Sequence, residues 1–348
     1  MAFGDVPGTQ TDTATTNFDK TVQVLIQTRL EELLRFPPVH LLPGNFRPAT
    51  FVKGTNGTMR FLAVGDLAAD SAANLLGVTP GTAPWLTQGA PPAETELTVG
   101  YEEMTAHQAG RVIRLTDVAL MESPFDLVSV AAERIARDAL VVADQFVANT
   151  LLAGTTRMDP AGGATAIGSI VTTQLLTANS IRLAVAKLKA RNVPPFADGL
   201  YRAIIHPYVA YDLMSDVEVG GWIDASRYAG SEPLLTGELG RFAGVRFLES
   251  AGALYTPDTG SGGDLDVFST IVFGPEAYAF GDWGAIQVKV TPPGGHTDPL
   301  GQNALIGWKG FFGAVLLGAS TAQAANGILP RYIRIDSATA GVAASDLD

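Results

Sequence analysis

The chain has 348 residues, of which 47% are hydrophobic and 17% charged, so it can bury a sizeable core and is not disordered. It has no cysteine, which removes disulfides and thiolate metal sites. Its formal charge is −12 and no run of Lys and Arg occurs, so its average field repels phosphate. The 38 glycines and 21 prolines predict many turns and short strands.

Residues 1–17 are rich in Thr, Gly and Asp and read as an extended arm. The start, Met1 through Gly8, has no basic stretch or apolar h-region, so no targeting segment is expected. Residues 18–36 carry a helical stripe of Val22, Leu25, Ile26, Leu30, Leu33 and Leu34, stopped by Pro37-Pro38. Residues 49–118 form a strand-rich excursion. Met59, Phe61 and Ala63 alternate with Arg60 and Leu62; Leu97, Val99 and Tyr101 alternate with Thr98, Gly100 and Glu102. The Gly- and Pro-rich stretch Gly77–Pro92 lies between them, and a further strand is predicted over Arg111–Thr116. Such a two-stranded flap needs a platform to be stable.

A long helix follows. Ser123 and Pro124 provide a start, and apolar residues run at helical spacing to Leu152, with Gly154 as the stop. A helix over 124–153 is about 43 Å long and reads as a strut. Beyond it, helix and strand alternate. Thr172 or Thr173 opens a helix that Pro194-Pro195 ends. Tyr201–His206 is a buried strand, Pro207–Ser215 a helix and Gly244–Glu249 a strand. Pro275–Phe280 reads as a short helix. Strands are expected over Phe268–Phe273, around Ile286, Val288 and Val290, over Ala304–Leu317 and over Ile328–Ile335.

No local motif of catalytic or metal chemistry stands in the sequence. His40, His107, His206 and His296 have no ligand spacing, and no HExxH or GxSxG occurs. Gly237–Gly244 lacks phosphate-loop spacing and reads as a turn feeding the strand Val245–Leu248. Asp258, Asp264 and Asp266 lack the order of an EF-hand and read as a solvated loop. Asn56-Gly57-Thr58 reads as a hairpin turn. Glu94, Glu96, Glu102 and Glu103 cluster near the flap; a solvated face or pairing with a neighbour's arginines both fit them. The pattern predicts an α+β protein without catalytic, cofactor-binding or metal residues, whose arm and flap find their burial between subunits.

From residue 200 onward the chain resembles the major capsid proteins of tailed bacteriophages with the Hong Kong 97-type fold, most like the family typified by the podophage N4. The resemblance is carried by four stretches: His206-Pro207 through Leu213, Trp222 through Tyr228, Gly237 through Glu249, and Asp298 through Gln302 followed by Gly307-Trp308-Lys309. It implies an N-terminal arm with its helix (1–48), an extended loop (49–118), and a peripheral domain with spine helix 124–153 (119–194). An axial domain (195–265) and return strands of the peripheral domain with the C-terminus (266–348) would follow. It further implies pentamers and hexamers of an icosahedral, DNA-filled head, a portal, a separate scaffolding protein and a possible decoration protein. It implies a place in the virion after assembly in the host cytoplasm, with no membrane partner. Lys53 is the only lysine near the flap, so the lysine–asparagine cross-link of some relatives is not expected. An encapsulin-like nanocompartment shell shares the fold, and a soluble hydrolase with dispersed carboxylates stays open on the residues alone.

Overall fold

The structure is a computed structural model. It describes residues 24–26, 28, 39–51, 57–64, 88–89, 99–124, 126–161, 163, 166–215, 238–252, 255–261, 263, 265–284, 286–291, 293, 299–318 and 330–340. The arm, most of the predicted 18–36 helix, Lys53, Glu94, Glu96, Trp222–Tyr228, Asp264 and His296 lie outside the described residues. Val24, Leu25, Ile26 and Thr28 are helical, and Ile26 is buried.

Two sheets and one long helix organise the fold. The first sheet contains β1 (Arg47–Thr50), β4 (His107–Thr116), β11 (Tyr278–Asp282), β12 (Gln287–Thr291) and β13 (Asn303–Leu316). Its axis is β13, whose 14 residues pair antiparallel with β4, β11 and β12. The parallel strand β1 adds to β11. The second sheet has the order β5 (Arg157–Met158), β14 (Tyr332–Ser337), β10 (Val267–Phe273), β6 (Tyr201–Ile205), β8 (Val245–Glu249), β7 (Glu238–Phe242), with the short β9 (Tyr255–Thr256) also on β10. The strands after 268 therefore divide between the sheets, β11 to β13 in the first and β10 with β14 in the second. A separate ribbon pairs β2 (Thr58–Val64) with β3 (Val99–Thr105). Only Ala106 separates β3 from β4, so the chain passes directly from the ribbon into the first sheet.

The long helix differs from its expected limits. A six-residue helix α1 (Asp117–Glu122) comes first and ends at Ser123. The strut, α2, then spans Leu127–Leu152. The cap is Asp126, whose carboxylate accepts from the backbone N–H groups of Val128 and Ser129 at 3.1 and 3.4 Å. Ser123 instead closes α1, its N–H donating to the Ala119 carbonyl. A carboxylate both accepts these bonds and meets the positive helix end, so Asp126 is the stronger start. At 26 residues α2 is about 39 Å long.

The helix bridges both sheets. Its first two thirds pack Ala131, Ala132, Ile135, Ala136, Ala139 and Ala143 on Ala304, Ile306, Trp308 and Phe312 of β13. Alanines at these positions let the helix backbone lie close to the sheet while the aromatics of β13 fill the gap. The last third packs Val147, Ala148 and Leu151 on Ile204, Ile271, Phe273 and Tyr332 of the second sheet. The opposite face of that sheet is covered by α3 (Ala178–Ala190) and α4 (Pro207–Ser215), through Ile181, Val185, Leu188, Val209 and Leu213.

Three further expectations are corrected. The helix α3 begins after Thr177, because Thr177 and Ser180 form a reciprocal cap, hydroxyl to backbone N–H in both directions. It ends at Arg191 before the prolines, where Asn192 takes a left-handed φ of 55°. Pro275–Phe280 is not a helix: Tyr278–Asp282 is strand β11, held between β1 and β13. Finally, Glu238–Phe242 is itself a strand. The turn is Ala243-Gly244, with φ of 51° and 82°, which returns the chain into β8 as a tight hairpin.

Candidate assembly surfaces

The β2–β3 ribbon has two unlike faces because strand side chains alternate. Phe61 and Met104 point inward and bury against Phe51 and Ala279. The pocket for Met104, shared with Phe51, is made by Gly281 of β11 and Gly313 of β13, which pair directly. A Cβ on Gly313 would lie 2.6 Å from Phe51 Cζ, and one on Gly281 2.8 Å from Met104 Cε. These two glycines are thus where the ribbon is rooted in the first sheet.

The outward face carries Arg60 opposite Glu103 and Leu62 opposite Tyr101. Leu62 is 70% exposed, Tyr101 53% and Val99 50%. Arg60 lies over the Tyr101 ring at 4.6 Å and pairs with Glu103 at 3.3 Å. That exposed ion pair contributes little stability; it holds the arginine flat along the apolar stripe.

A second apolar surface surrounds α1, which has no buried residue. Thr116 caps it, its hydroxyl accepting from the Ala119 N–H. Its Asp117 N–H bonds the Gln302 carbonyl, which brings it beside the turn carrying Leu300. Met121 is 85% exposed and Leu300 81%. A third surface is α4, whose Tyr208, Tyr211 and Met214 recur at helical spacing on its exposed side.

The histidines do not converge. His107 packs its ring 5.7 Å from Phe146. His206 sits among Tyr208, Tyr255 and Phe268, with centroids at 5.2, 6.4 and 4.9 Å. Burial holds its imidazole below the ordinary value. Asp266 accepts from the Asp258 N–H at 3.1 Å, so its carboxylate holds the turn. Among the described residues no three His, Asp or Glu side chains gather as a metal would require.

His40 is the histidine whose role the sequence concealed. Its backbone N–H and its ring Nδ1 bond the two carboxylate oxygens of Asp144, at 3.1 and 2.9 Å. Its carbonyl accepts from the Tyr278 hydroxyl at 2.7 Å. His40 is fully buried, and burial first, then the Asp144 charge, raises the Tyr278 phenol far above its ordinary value. The set ties the short turn Val39–Leu41 to the middle of α2 and to β11. The one available sequence signal was Asp144 itself, an acid on the apolar stripe of a helix. A second buried set joins Arg334, the Leu152 carbonyl, Asp336 and Ser269, and holds the last turn of α2 against β14.

Two sheets bridged by one long helix, with an outlying ribbon that leaves apolar surface exposed, form the Hong Kong 97-type shell fold. The same fold occurs in the capsid of Ralstonia phage GP4, at 14% identity over 87% of this chain and 88% of that one, with a TM-score of 0.61. It occurs in the capsid of cyanophage Pam1, at 16% identity over 85% and 89%, TM-score 0.57. It is also found in the capsid of Helicobacter pylori bacteriophage KHP30, at 12% identity over 84% and 87%, TM-score 0.54. No curated protein matches the sequence. The profile of the phage capsid protein family matches residues 100–325, and the chain belongs to that family. It is a major capsid protein of a phage head, and its place is the virion. No described helix is long and apolar enough to cross a membrane.

Proposed function

We propose that the subunit assembles into pentamers and hexamers that close an icosahedral head around double-stranded DNA. The observation that carries this reading is the outward face of the ribbon. Leu62, Val99 and Tyr101 form a stripe that one subunit leaves in water, on an element too small to be stable alone. Seated on a neighbouring subunit, the stripe becomes part of an interface of roughly 2,000 Å² or more per pair.

In this reading 1–48 serve as the arm and 49–118 as the extended loop, whose last strand, β4, returns to the first sheet. Residues 119–194, with α2, and 266–348 form the peripheral unit, and 195–265 the axial unit. A portal, a separate scaffolding protein, a possible decoration protein and nonspecifically contacted DNA complete the assembly. The subunit acts mechanically, without catalysis or cofactor.

The test pairs electron microscopy with thermal melting. Wild-type protein is expected to form shells or capsomers. Leu62→Lys with Tyr101→Lys should leave the melting temperature of the free subunit within about 2 °C, since exposed substitutions change stability little, and abolish closed shells. A wild-type protein that stays monomeric under all assembly conditions, or a double variant that assembles normally, would overturn the reading.

A further inference from the structure

The charge of this chain is distributed unevenly, and one helix stands against the average. Between Asp159 and Asp198 there is no acidic residue, whereas Arg182, Lys187, Lys189 and Arg191 all fall there. Three of the four lie within α3 and the fourth caps it. The other helices differ. Helix α1 has Asp117 and Glu122 with no basic residue. On α2, Arg134 and Arg137 are outnumbered by Glu133, Asp138 and Asp144, and α4 has Asp212 alone. In a chain of net charge −12, α3 is the one described helix with a positive balance.

We infer that the outer face of α3 is the surface by which the subunit meets the phosphate backbone of duplex DNA. The inference rests on the DNA-enclosing shell proposed above. Its geometry is that of an amphipathic helix whose polar side is a platform. Ile181, Ala184, Val185 and Leu188 are buried against the second sheet. Asn179, Arg182, Ala186, Lys189 and Ala190 face outward and are exposed. Arg182 and Lys189 are seven residues apart, two turns along the same face, and so about 10.5 Å from each other.

The residues around the two cations are small, so a phosphate backbone can approach closely. Lys187 and Arg191 flank the platform, half-buried. Lys187 Nζ lies 3.8 Å from the Met158 sulfur, and an Arg191 guanidinium nitrogen donates to the Pro330 carbonyl at 3.5 Å. Lysines in a last turn also complement the helix dipole, but Arg182, in the first half of α3, has no such role. Arg182 rests over the Phe242 ring at 5.4 Å, which supports its stem and orients its head.

The experiment uses purified full-length capsomers and a 30-base-pair duplex of arbitrary sequence, followed by fluorescence anisotropy across a salt series. Removing one phosphate contact lowers the slope of log affinity against log salt by about 0.9. Arg182→Gln with Lys189→Gln should therefore lower it by about 1.8, and Lys189→Gln alone by about half of that. Arg134→Gln with Arg137→Gln on α2 should leave the slope unchanged, and Arg182→Lys should restore it. Wild-type capsomers with no measurable DNA affinity, an unchanged slope in the α3 variants, or an equal loss in the α2 variant would overturn the assignment. The same preparations are imaged. Shells that form while the slope stays unchanged defeat only the role of α3, whereas wild-type protein that never assembles defeats the shell reading itself.

Discussion

Replacing Asp144 with alanine probes the buried set that fastens the segment preceding the first sheet to the strut. The carboxylate takes two hydrogen bonds from His40, one from the backbone and one from the ring, in a site where His40 has no water contact. Alanine strands both donors. A buried donor left unmade costs about 1–3 kcal/mol, so the loss should be about 2–6 kcal/mol. At about 2 °C per kcal/mol for a chain of this size, that is a drop of several degrees in Tm. Asparagine is the informative control. Its carbonyl oxygen still accepts from the His40 backbone N–H, and only the ring bond must rearrange. Its cost should be about half that of alanine. His40→Ala in the Asp144→Ala background should add less than it does alone, with a coupling of at least about 1 kcal/mol, because the two side chains share one interaction. The assay is urea or thermal unfolding of the unassembled subunit. If Asp144→Ala lay within about 0.5 kcal/mol of wild type, or if the two substitutions were additive, the set would not hold the fold as argued.

Two further outcomes follow from the packing. Ile135→Asp sets an unpaired charge into the contact between α2 and β13, where Ile135 is 1% exposed, and should cost several kcal/mol and yield insoluble protein; soluble, assembling protein would contradict the assigned stripe. His206 gives a pH signature. Because burial lowers its folded pKa below that of the unfolded chain, its contribution to stability is complete above about pH 6.5. It should fall as the pH drops toward the folded value, since the unfolded state then binds more protons. His206→Phe should flatten unfolding free energy against pH between about 5 and 7; an unchanged slope would assign the acid sensitivity elsewhere.

Much of the fold was legible because local patterns and tertiary demands agree. Pro207–Ser215 has the predicted limits, since proline at the first helical position and an apolar stripe are both local signals. The strands β6, β8, β10, β12 and β13 follow from alternation or continuous apolar runs. Where two starts competed, the sequence misled. Ser123 and Pro124 resemble a helix start, but three residues later Asp126 offers a charged cap, and the chain uses the first pair to separate α1 from α2. Pro275–Phe280 has helical composition, yet β13 provides an unpaired edge beside it, and pairing with that edge decides for a strand.

The sequence by itself determined most element types, the acidic average, the amphipathic strut and the absence of thiol chemistry, because these depend on neighbours within a few residues. It also held the charge reversal of α3, legible as a stretch without acids. Only the tertiary structure decided which strands share a sheet and that α2 bridges both sheets. It alone brought His40 to Asp144 and Tyr278, across 104 and 238 residues. It also made Gly281 and Gly313 the seat of the ribbon, leaving Leu62 and Tyr101 in water. Those facts rest on contacts between residues far apart in the chain. Their pairing is set by how whole faces pack, which no local window of sequence contains.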